Sequence, residues 1–99
     1  MRRQAAVNPE AAETLAIQAL NYIAADAERL GRFLALTGIG PGEIRAAARE
    51  PGFLAGVLEH VAGHEKMLVE FAAETGIDPA EVGKARVVLG GPAWEREVP

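Results

Sequence analysis

Ninety-nine residues make one domain with one small core, and 49% hydrophobic against 24% charged residues is globular rather than disordered composition. The absence of cysteine excludes a disulfide framework, a thiolate metal site and a thiol nucleophile. Ten Lys+Arg against fourteen Asp+Glu give a net charge of −4, which disfavours a protein living on phosphate contacts.

No uncharged apolar run approaches the ~20 residues of a membrane span. Arg2 and Arg3 have no hydrophobic region behind them, unlike a secretory signal. A cytoplasmic location is therefore expected.

The periodicity is helical throughout, because Ala, Leu, Glu and Arg dominate and β-branched runs are missing. Residues 1–7 are expected to be a flexible end. Asn8 is a good N-cap and Pro9 suits the first helical position, where its missing N–H costs nothing. Ala12, Leu15, Ala16, Ala19, Leu20 and Ile23 then form one apolar stripe. Asp26 caps a second helix over 27–37, with Leu30, Phe33, Leu34 and Leu36 as candidates for its buried side and Gly38 as its stop. Pro41 starts a short helix running to about Arg49, which Pro51 ends by restricting Glu50. The longest helical stretch is Phe53 to Thr75, closed by Gly76. Asp78-Pro79-Ala80-Glu81 resembles a capping box and opens a last helix to about Leu89. Gly90, Gly91 and Pro92 end regular structure, leaving 91–99 as a flexible tail and 8–90 as the domain.

The chain matches itself at an offset of 38 residues, with 15–49 lying over 53–87. Leu20, Leu30, Phe33 and Thr37 meet Leu58, Leu68, Phe71 and Thr75; Gly38-Ile39, Pro41 and Glu43 meet Gly76-Ile77, Pro79 and Glu81. The glycine ends a helix, the isoleucine plugs the turn, and proline and glutamate start the next helix. A unit of this size cannot bury its own apolar face, so two copies would share one core. Asp26, a cap, lies opposite His64, which predicts a kink or break near Gly63-His64. The expected architecture is an all-α, compact orthogonal bundle of about five short helices, made of two pseudo-symmetric helix-turn-helix units.

Three segments carry a family resemblance: ERLGRFLALTGIGPGEIR (28–45), PGFLAGVLEHV (51–61) and FAAETGIDPAEVGKARVVLG (71–90). From Leu15 to Leu89 the chain resembles an uncharacterised bacterial family, domain-of-unknown-function family 3572. The resemblance implies a small all-helical protein, with no activity or catalytic residue to carry over.

Candidate chemistry is sparse. Gly38-Ile39-Gly40-Pro41 looks like the turn of a helix-hairpin-helix element, whose backbone N–H groups bind DNA phosphate. Arg29, Arg32, Arg45 and Arg49 make 29–49 locally basic, but Glu43 stands near where such hairpins carry a base, and Asp78 replaces the second glycine in the other copy. A plain helix stop and restart accounts for the same glycines. His60 and His64 have the i, i+4 spacing of zinc ligands. No third ligand is prescribed, and a capping His64 would not share a helix face with His60. There is no serine or cysteine nucleophile and no cofactor motif, so no enzyme is expected. Residues 53–81 carry Lys66 as their one base among six acids, so a basic and an acidic segment could pair two copies as a homodimer. Trp94, alone in a polar tail, either folds back onto the helices or anchors a partner. The favoured reading is a non-catalytic protein-interaction module; the alternative is a nucleic-acid binder using Gly38 to Gly40 and the four arginines.

Overall fold

A computed structural model describes residues 8–90. The expectations for 1–7, for 91–99 and for Trp94 lie outside the described residues. The order is α1 (Pro9–Ala24), α2 (Ala27–Thr37), a 3-10 turn (Pro41–Glu43), α3 (Ile44–Ala47), α4 (Pro51–Ala62), α5 (Glu65–Thr75) and α6 (Pro79–Gly90). No strand occurs among the described residues.

The helix ends follow local chemistry. Asn8 Oδ1 accepts the Ala11 N–H at 2.7 Å, and Asp26 Oδ1 accepts those of Glu28 and Arg29 at 2.8 and 3.2 Å. Gly38 and Gly76 end α2 and α5 in the left-handed region, with φ 74° and 77°. In both turns a threonine bonds backward and forward. Thr37 Oγ1 donates to the Phe33 carbonyl at 2.9 Å and accepts from Ile39 N–H, and Thr75 Oγ1 does the same with Phe71 (2.8 Å) and Ile77.

Two expectations need correction. The count is six α-helices rather than about five, because 53–75 divides into two helices at the break expected near Gly63-His64. The chain starts helical structure at Pro51 and breaks at Gly63 and His64, between α4 and α5. A straight continuation of the Val61 stripe would have aimed His64 and Glu65 at the core, which is costly. The expected helix to Arg49 is only a 3-10 turn followed by the four-residue α3. Pro51 leaves too little chain, since it forces Glu50 out of helical geometry (ψ 121°). Nothing like Pro51 interrupts α6, which runs for 12 residues.

Helices α1, α4 and α6 pack mutually and form the centre; α2 flanks α1 and α5 flanks α4. Phe33, Phe71, Ile23, Leu58, Val57, Val61 and Val82 are the largest fully buried side chains. Burying each is worth roughly 1.5–3 kcal/mol. Ala12, Ala16, Ala19 and Ala85 are completely buried and let the helix backbones approach.

Candidate functional site

The hairpin positions Gly38 and Gly40 differently from one another. Gly38 is left-handed, whereas Gly40 is extended (φ −78°, ψ 152°) and donates its N–H to Glu43 Oε1 at 3.3 Å. That amide, which a phosphate would use, already faces a carboxylate. The helical pieces that follow have three and four residues, too short to build a strong dipole.

Of the four arginines, Arg29 is engaged away from this turn. Arg29 reaches back to the end of α1, where its Nη2 and Nε donate to the Tyr22 carbonyl at 2.6 and 3.2 Å. Its guanidinium lies over the Tyr22 ring at 3.8 Å and reaches Asp26 at 3.9 Å. This is a cation closing a helix C-terminus. The hydrogen bonds from Glu28 and Arg29 N–H hold the Asp26 carboxyl below the usual range. Arg32, Arg45 and Arg49 are exposed and make no ion pair with another described residue.

His64 stands at the N-cap position of α5, off the helix that carries His60, and the two rings nevertheless meet. Their ring centroids are 4.7 Å apart. The break after α4 lets His64 turn back, so that its Nδ1–H donates to the His60 carbonyl at 2.7 Å instead of its side chain capping α5. His60 is wedged edge-on against Phe33 at 5.1 Å, and its Nε2 is buried with no hydrogen-bond partner. Burial, then the charges of His64 and Arg32, push its pKa below the usual histidine value. Among the described residues no third His, Cys, Asp or Glu joins them in a metal-holding group.

Beside this pair, a cleft of about 410 Å³ separates α2 from α5. Tyr22, Asp26, Arg29 and Arg32 line one side; His64, Lys66, Met67 and Glu70 line the other. The Tyr22 hydroxyl donates to Glu70 Oε1 at 2.9 Å. Burial, with that hydrogen bond, raises the Tyr22 pKa, so the phenol stays protonated at neutral pH. The sides carry charges of both signs, and their closest contacts serve helix ends and packing. Tyr22 is also edge-on to Phe71 at 5.6 Å. Shifting Tyr22 by 38 gives His60, and shifting Phe71 back gives Phe33, which also form an edge-on pair; Phe33 meets Phe53 edge-on as well, at 5.9 Å. Arg32 and Glu70 are likewise 38 apart, and each acts on the aromatic ring of the opposite half.

Sequence reasoning missed a groove of about 540 Å³ between α4 and α6. Its α4 wall is Pro51, Gly52, Ala55, Gly56 and Glu59, and its α6 wall is Arg86, Leu89 and Gly90. A Cβ added at Gly52 or Gly56 would meet nothing within 4 Å, so the backbone there is open. Neither Glu59 nor Arg86 has an ion pair with another described residue. The signal was present as glycines at i and i+4 with an alanine between them, which share one face of a helix.

No described helix is long and apolar enough to cross a membrane. Neither a curated protein nor a solved structure matches the chain. Residues 9–92 match the model of a family described as protein of unknown function (DUF3572), and the chain belongs to that family.

Proposed function

We propose that the domain is a non-catalytic protein-interaction module and that the α4–α6 groove is its docking face. The observation that carries this reading is a groove of about 540 Å³ with an open glycine floor and two unpaired charges of opposite sign. That volume falls within the ~300–1,000 Å³ common for ligand sites. The occupant that fits is an aromatic side chain on a short segment carrying both charges. The ring would lie on Gly52, Ala55 and Gly56, and the segment's charges would meet Glu59 and Arg86. Aromatic anchors in small-residue pockets commonly dominate interface energy.

The test is saturation-transfer NMR with N-acetyl-tryptophanamide as probe, on the wild-type chain and on Trp94→Ala. The second chain is included because the protein carries its own indole. The reading requires saturable binding by at least one of them, lost in Gly56→Leu with helical content retained. Binding by neither, or binding unchanged by Gly56→Leu, contradicts it.

A second reading, nucleic-acid binding at Gly38 to Gly40, is favoured by the exposed, unpaired Arg45 and Arg49. It ranks lower because Glu43 holds the Gly40 amide and Arg29 serves α1. Salt-independent absence of binding to DNA and RNA would end it.

We also infer that 15–49 and 53–87 are two pseudo-symmetric units. Support comes from the matched glycine stops, the matched threonine bonds and the crossed Tyr22–Phe71 and His60–Phe33 pairs. In a two-fold arrangement, residue i of one unit meets j of the other and j meets i. The third helices have diverged, since α3 has 4 residues and α6 has 12.

A further inference from the structure

We propose that the chain's own C-terminal segment occupies the α4–α6 groove, with Trp94 seated on Gly52 and Gly56. This rests on the reading of the groove as the docking face and names its resident occupant. Residues 91–99 begin at the groove itself, because Gly90, the last residue of α6, is one of its lining residues. Trp94 is four positions beyond Gly90. At ~3.3–3.6 Å per extended residue, it reaches up to about 14 Å from Gly90. The groove floor from Gly52 to Glu59 is about 10 Å long at the ~1.5 Å rise of a helix. Trp94 therefore reaches most of that length.

The geometry at the two glycines fits an indole. Gly52 and Gly56 stand one above the other on α4, with open space where a side chain would begin. Ala55, between them in sequence, is buried. Tail charges complement the rim. Glu95 and Glu97 are available to Arg86, and Arg96 to Glu59, neither of which has an ion pair among the described residues.

Trp94 is the single tryptophan, so intrinsic fluorescence reports on it alone. In the wild-type chain its emission should lie at shorter wavelength than that of N-acetyl-tryptophanamide. Its acrylamide quenching constant should be several-fold lower, and both values should be independent of protein concentration. Gly56→Leu fills the floor and should move both toward the free-probe values, with helical circular dichroism retained; Gly52→Leu is the second variant. Three results overturn the proposal: free-probe values in the wild type, protection that survives both variants, and protection lost on dilution, which places the tail in a second copy. The probe titration separates this proposal from the docking face beneath it. Binding by Trp94→Ala but not by wild type supports both. Equal binding by both chains overturns the tail and leaves the docking face. Binding by neither overturns the docking face.

Discussion

Phe33 and Phe71 are fully buried, and each is met edge-on by a ring from the opposite half. Truncating either to alanine should cost about 3–5 kcal/mol, read by urea unfolding. Gly38 and Gly76 hold nearly identical left-handed angles. Gly38→Ala and Gly76→Ala should each cost about 1–2 kcal/mol and agree with one another, since both pay the same steric penalty. Strongly unequal costs would contradict equivalent turns. His60 gives a pH signature. Folding lowers its pKa, chiefly by burial, so below the ordinary value of ~6.5 the unfolded chain binds more protons. Its contribution is complete above that value, falls as pH drops toward the lower folded value, and is level below it. His60→Phe should flatten this part of the pH–stability profile measured by thermal melting; an unchanged profile would show that His60 does not carry it. Both phenylalanines and both glycines were legible in the sequence from apolar spacing and helix-stop position. The burial of His60 Nε2 was not, because it depends on Phe33 arriving from another helix.

At the scale of elements, α2 flanks α1 and α5 flanks α4, but of these two only α2 has a side chain bonded at its cap. Asp26 accepts two N–H groups there, while His64 turns back to α4. His64→Asp should supply the missing acceptor and stabilise by about 0.5–1 kcal/mol, visible as a raised melting temperature. An unchanged or lowered temperature would show that the bond from His64 to the His60 carbonyl outweighs a cap. The caps at Asn8 and Asp26 and the break at His64 could be read from residue type and register alone. The length of α3 was overestimated, because the chain after Pro41 first takes a 3-10 turn and the α-helix proper ends at Ala47. The meeting of His60 with His64 was likewise hidden, since i, i+4 spacing says nothing of how a chain folds back at a break.

At the scale of the molecule, charge and composition set the class, and periodicity set an all-helical bundle. The α4–α6 groove was not visible, because a groove is made by two helices and α6 supplies one wall. Gly52, Ala55 and Gly56 stand in the sequence only within PGFLAGVLEHV (51–61), where nothing but their shared helix face marks them as one side of a groove. The most direct measurement is an amide chemical-shift map of the Trp94→Ala chain titrated with N-acetyl-tryptophanamide. The account predicts saturable shifts centred on residues 51–59 and 86–90, with Gly38 and Gly40 unmoved. Shifts confined to the α2–α5 cleft or the Gly38–Gly40 turn, or no saturable shift at all, would contradict it.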